Sequence, residues 1–130
     1  MEKVPKIALG TFLVTNEEDV KRTIRFAVEK AGYRRIDTAA AYDNEKAVGD
    51  AIQDLLNRKI VDRKDLFITT KLHNKDHHPT VVAKAARLSL KNLQLDYIDL
   101  YLVHYPFAMQ YNKKGDIIMN RDGTPKYSKI

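Results

Sequence analysis

Strand and helix patterns alternate along the first 106 residues, which predicts an α/β fold of parallel strands joined by right-handed helical crossovers. Three observations carry this expectation. Short apolar or β-branched runs recur at residues 6–11, 34–37, 66–71 and 97–104. Between them lie segments whose apolar residues repeat at helical spacing. Capping and turn residues mark several of the junctions. The predicted order is β-α-β-α-β-α-β.

The first strand ends in Gly10-Thr11-Phe12. Thr15 or Asn16 then caps a helix, and Glu18, three residues after Thr15, completes a capping-box pattern. Glu17, Glu18 and Asp19 occupy its first turn, where the helix dipole favours negative charge. Val20, Ile24, Ala27 and Val28 form one buried face, and Gly32 is the natural left-handed terminator. The second strand is 34–37. The second helix runs from about Asn44 to Arg58, with Val48, Ile52, Leu55 and Leu56 on its apolar face. The third strand is β-branched, aromatic and bounded by charge. A polar loop from His73 to Pro79 leads into a third helix with Val82, Ala86, Leu90 and Leu93 in register, and Pro106 ends the fourth strand.

Residues 107–130 lose this periodicity. Ile117–Met119 and Thr124–Tyr127 are spaced to pair as a hairpin across Asp122-Gly123, and a flexible tail is the alternative. The expected organisation is therefore a structured unit over 1–106 and a loop or tail over 107–130.

Length and composition exclude several classes. With 130 residues and 44% hydrophobic content the chain has the size of one domain with an ordinary core. No cysteine is present, so disulfide and thiolate chemistry are excluded, in keeping with a reducing compartment. No apolar run approaches the roughly 18 residues of a membrane span, and Met-Glu-Lys-Val-Pro is no secretory leader. The expectation is a cytoplasmic protein without a membrane partner. The net charge of +6 comes from scattered basic residues, so no nucleic-acid partner is expected. His73, His77 and His78 lie in a loop stretch and not on one helix face, which argues against a metal site. The glycines do not form a G-x-G-x-x-G fingerprint, so any nicotinamide cofactor must bind through other loops.

Four polar residues stand at or just past successive strand ends: Asp37 and Tyr42, then Lys71, then His104. In a parallel barrel such ends share one rim, where active sites are built. A phenol is a poor acid near neutral pH, its reference pKa being about 10. A neighbouring ammonium stabilises the phenolate, and a carboxylate holds that ammonium charged and oriented. A histidine beside them orients a carbonyl oxygen or shares the proton transfer. The set suits carbonyl reduction, with a proton going to oxygen and a cofactor hydride to carbon. On spacing alone, the bland alternative is a solvated lysine in a structural ion pair.

The residues also carry a family resemblance. Gly10-Thr11-Phe12, the stretch from Gly32 to Gly49 around Asp37 and Tyr42, Thr70-Lys71-Leu72, and the run from Leu95 to Pro106 containing His104 resemble the aldo-keto reductases, motif by motif and in order. The resemblance implies a (β/α) TIM-barrel fold, here truncated to about half a barrel with an irregular C-terminal tail, since a complete barrel takes roughly 250 residues. It implies a catalytic tetrad of Asp37, Tyr42, Lys71 and His104, with Tyr42 as general acid. It implies NADPH (NADP) as cofactor, approached in this chain by Gly10, Thr11 and Asp37, and a small carbonyl substrate in a pocket of Phe12, Ala41, His73 and Tyr105.

Two departures from the family pattern stand out. Tryptophans line the pocket in many members, and this chain has none. The segments that carry the family's remaining nicotinamide and phosphate contacts are not in the sequence, so cofactor binding by these residues alone is expected to be weak or absent. Half a barrel also leaves strand edges open, which predicts self-association or pairing with a complementary half. Two functions follow: an NADPH-dependent reductase of aldehydes and ketones working with the missing half or by assembly, or a non-catalytic relative acting through interaction.

Overall fold

The computed structural model describes residues 4–128. Four strands, β1 (Leu9–Gly10), β2 (Arg35–Asp37), β3 (Phe67–Leu72) and β4 (Leu100–Val103), form one sheet in the order β1-β2-β3-β4, every neighbouring pair parallel. Helices α1 (Glu17–Glu29), α2 (Glu45–Asn57) and α3 (Pro79–Leu93) make the crossovers. This is the α/β, half-barrel arrangement expected from the alternation of patterns.

The core lies between the sheet and the helices. Val20, Ile24 and Val28 of α1 and Val48, Ile52 and Leu55 of α2 pack with Ile36 of β2 and Ile68 of β3 in one buried cluster, which Leu93 of α3 joins. Strand alternation turns Arg35, Asp37, Phe67, Thr69 and Lys71 to the opposite face. That division sends the chemistry-bearing side chains away from the core. Charge fastens α1 to α2: Arg25 Nε lies 2.9 Å from Asp54 Oδ2, and Arg58 Nη1 lies 2.6 Å from Glu29 Oε1 and 3.0 Å from Asp54 Oδ2.

Element ends differ from expectation for identifiable reasons. Asn16, not Thr15, caps α1, accepting the Asp19 N–H at 3.1 Å. Lys30 closes that helix and Gly32 turns the chain at φ 73°, with the Tyr33 N–H donating to Ala27 O at 2.9 Å. The first strand is two residues, much shorter than 6–11, although the Thr11 N–H still donates to Asp37 O at 3.1 Å. The fourth strand starts at Leu100, three residues later than expected, because Arg63 claims the preceding groups. Its guanidinium donates to Tyr97 O at 2.9 Å and to Asp99 Oδ2 at 2.6 Å, and lies 3.8 Å from the Tyr97 ring centroid.

Residues 107–128 build three antiparallel bridges, Met109 with Tyr127, Tyr111 with Ile117, and Met119 with Pro125. The Met109 N–H donates to Asn74 O at 3.1 Å, tying this segment to the loop after β3. Among the described residues, no helix is long and apolar enough to cross a membrane.

Candidate active site

Four parallel strands end together, so the residues leaving their C-terminal ends meet. Asp37 closes β2, Lys71 lies one residue before the end of β3, and His104 follows β4. Tyr42 ends a short 3-10 turn, Ala40–Tyr42, in which its N–H donates to Ala39 O at 3.0 Å. The turn is closed by Asp43 in the left-handed conformation, φ 53°, and the chain enters α2.

Lys71 is the centre of the group. Its Nζ donates to Asp37 Oδ1, to Thr38 O at 2.8 Å and to Tyr42 Oη at 3.2 Å. The ammonium thus bridges carboxylate and phenol, and no solvent layer separates the three. Its side chain is mostly buried, where a charge pair is screened less than at the surface.

His104 completes the group by ring contact. Its imidazole meets Tyr42 edge-on, centroids 5.5 Å apart, and stacks on Tyr105 at 4.7 Å. Its Nδ1 is buried without a hydrogen-bond partner. Burial holds the imidazole below its usual range, the Lys71 ammonium adds to that, and Asp37 opposes it. A neutral ring next to the ammonium avoids a second positive charge at the rim. The phenol of Tyr101 is no rival acid. Burial first, then Glu45 and Asp76, push it up to about 12.

A cavity of about 200 Å³ opens beside this group, lined by Phe12, Ala41, Tyr42, His104 and Tyr105. Of the expected pocket residues, His73 stands apart. Its ring packs edge-on against Tyr111 at 5.2 Å, and its Nδ1 accepts the Lys75 N–H at 3.2 Å. The bridged segment after Pro106 thus packs against this loop through Tyr111. A larger cavity, about 370 Å³, lies at the opposite strand ends among Pro5, Lys6, Ile7 and residues 31–34. None of its lining residues is a carboxylate or a histidine, and Arg34 donates Nη1 to Val28 O and Tyr33 O.

Thr11, expected near the cofactor, is turned inward. Its hydroxyl donates to Thr38 Oγ1 at 2.9 Å and its carbonyl accepts Asn44 Nδ2 at 2.8 Å. Gly10 is exposed, and a Cβ there would meet nothing within 4 Å. The partly exposed Asp37 carboxylate is its partner across the β1–β2 ladder, so the rim is open at this point.

In the sequence, Asn44 and Glu45 mark only the start of the second helix. Asn44 Nδ2 also donates to Val14 O at 3.1 Å, so this side chain holds the chain leaving β1 against the rim. Glu45 is buried, a rare setting for a carboxylate, and touches β3 and α3. The available signal is their position, two and three residues after Tyr42.

Comparison with known proteins identifies the family. The family model described as the aldo/keto reductase family matches residues 6–119. The chain belongs to that family. Aldo-keto reductase family 1 member A1 of Gallus gallus is 44% identical over 129 residues, 97% of this chain and 38% of the relative. An NAD(P)H-dependent 6'-deoxychalcone synthase of Glycine max is 44% identical over 113 residues, 86% of this chain and 36% of that protein. Among solved structures, the aldose reductase of Giardia lamblia superposes with a TM-score of 0.87 at 34% identity, covering 95% of this chain and 40% of the other. A Bombyx mori aldo-keto reductase in complex with NADP superposes with a TM-score of 0.77 at 40% identity, covering 95% of this chain and 38% of the other. This aldo-keto reductase chain therefore spans about two fifths of the length of the relatives it matches.

Proposed function

We propose that these residues form the proton-donating rim of an NADPH-dependent reductase of small aldehydes or ketones. The observation that carries the reading is the Lys71 ammonium held between the Asp37 carboxylate and the Tyr42 hydroxyl, beside the cavity. Relatives supply the cofactor class, since the Bombyx mori protein is described in complex with NADP.

A carbonyl compound entering the cavity places its oxygen between Tyr42 and His104. The neutral His104 ring orients that oxygen, and Tyr42 Oη gives it a proton. The phenolate left on Tyr42 is stabilised by Lys71, whose charge and direction Asp37 and Thr38 O maintain. NADPH, when bound, supplies the hydride that reaches the carbonyl carbon, so the product is the alcohol. Gly10 and Asp37 are the residues of this chain that would hold its nicotinamide end. Most of the remaining binding surface for the cofactor belongs to the rest of the barrel, contributed by a complementary half or a second copy.

The test is titration of the purified chain with NADPH, following nicotinamide fluorescence, with oligomeric state recorded on the same sample. Saturable binding with measurable carbonyl reduction supports the reading, and Tyr42→Phe then lowers kcat by about 10²–10⁴-fold, the usual range for a general acid. Binding without a loss of turnover in Tyr42→Phe removes Tyr42 as the acid. No binding at high cofactor concentration favours the non-catalytic alternative, to which the exposed Leu102 and Val103 at the β4 flank lend an interaction surface.

A further inference from the structure

Behind the rim lies a second polar group that the proton-transfer chemistry does not use. Glu45 is 4% exposed and has no cationic partner among the described residues. Its Oε1 accepts the Thr70 hydroxyl at 2.7 Å, and its Oε2 accepts Ser89 Oγ at 3.2 Å and Asn92 Nδ2 at 3.4 Å. The carboxylate also stands in the first turn of α2, where the helix dipole favours it.

Three donors satisfy this buried carboxylate, so it is a specific hydrogen-bonded junction. What distinguishes it is its location. Glu45 follows Tyr42 by three residues, and Thr70 directly precedes Lys71. The Glu45–Thr70 bond therefore joins the segment carrying the phenol to the strand carrying the ammonium, on the sheet face opposite to the one they share. Asn44 performs the matching task on the other side, binding Thr11 O and Val14 O.

We infer that Glu45 is a positioning residue of the candidate active site, a buried carboxylate that sets the Tyr42–Lys71 contact through the Thr70 hydroxyl. The inference rests on the reductase reading for its meaning, but its geometry is tested without turnover. Ser89 and Asn92 bond the other carboxylate oxygen, Oε2, from α3, whereas the Thr70 bond to Oε1 is the one that reaches β3. Removal of the Thr70 hydroxyl breaks this tie without altering the chemistry of the Asp37, Tyr42 and Lys71 side chains.

The experiment uses the 130-residue chain labelled with 13C and 15N, with Tyr42 Cζ assigned through Tyr42→Phe and Lys71 Nζ through Lys71→Arg. Thr70→Val removes the donor with little change of shape, Thr70→Ser restores it, and Ser89→Ala removes a donor on the α3 side only. Thermal melts accompany each spectrum. The expected result is that Thr70→Val displaces both the Tyr42 Cζ and the Lys71 Nζ resonances. Thr70→Ser returns them to wild-type positions, and Ser89→Ala leaves them unmoved even where it lowers Tm as much as Thr70→Val. Unmoved resonances in a folded Thr70→Val chain overturn the inference, as do equal displacements in Ser89→Ala. Because no outcome depends on NADPH or turnover, an inactive chain leaves this result standing.

Discussion

The two sides of the rim are held by different forces. Asp37, Lys71 and Tyr42 lie above the best-buried part of the molecule, where α1 and α2 cover β2 and β3, and directional hydrogen bonds lock them. His104 lies above β4, whose Leu102 and Val103 are 38% and 61% exposed, and aromatic contact holds its ring. The contact runs on from Tyr105 to Phe107 at 5.5 Å and from Phe107 to Tyr127 at 5.5 Å, reaching the last bridged segment. Hydrogen bonds fix both distance and direction. Ring stacking is worth about 0.5–1.5 kcal/mol per pair beyond burial and tolerates sliding. Tyr42 and Lys71 are thus placed more narrowly than His104.

The largest effect that sharpens this contrast is in the core. Ile52→Ala, at a site with 0% exposure between α1, α2 and the sheet, is expected to cost about 3–4 kcal/mol in urea unfolding. Leu102→Ala on the β4 flank is expected to cost under about 1 kcal/mol. Equal losses would show that the two sides are buried alike in solution.

A smaller effect tests the close approach of α2 to α3. A Cβ on Gly49 would sit 2.5 Å from Asn92 O and 2.7 Å from Leu93 C, both main-chain atoms that cannot step aside. Gly49→Ala is therefore expected to destabilise by about 1–3 kcal/mol despite its better helix propensity. A stabilised variant, read from the urea midpoint, would show that the helices are free to part and that the Glu45 junction is less rigid than its bonds imply.

The smallest effect is pH-dependent and belongs to the looser side. Burial first, then the nearby cations Lys71 and Lys75, hold His104 and His73 below the ordinary 6.5 when the chain is folded. The unfolded chain therefore binds more protons in that window, and stability rises with pH through it. This contribution is fully present above 6.5 and is lost as pH falls through the two folded values. Replacing His104 with Gln should flatten the slope of Tm against pH below 6.5 and leave His73 to supply the remainder. An unchanged slope would mean that the His104 ring is as well solvated folded as unfolded.

The sequence alone determined the order of elements, because periodicity and capping are local properties of consecutive residues. Val20, Ile24, Ala27 and Val28 can face a core only as one side of a helix, and all four are buried. It also placed Asp37, Lys71 and His104 at successive strand ends, because parallel strands with helical crossovers put those ends on one rim. Tertiary structure alone decided the rest, since it depends on partners far apart in the chain. Arg63 delayed the fourth strand by capturing Tyr97 O and Asp99 from 34 and 36 residues away. Tyr111 packed against the His73 ring, and Thr38 with Asn44 turned Thr11 inward. Glu45 shows the same division most plainly. Its place after Asn44 marks a helix start, but only Thr70, Ser89 and Asn92, 25, 44 and 47 residues onward, make it a buried junction. A hydrogen bond across that separation leaves no periodic trace in the sequence, so it exists only once the chain has folded.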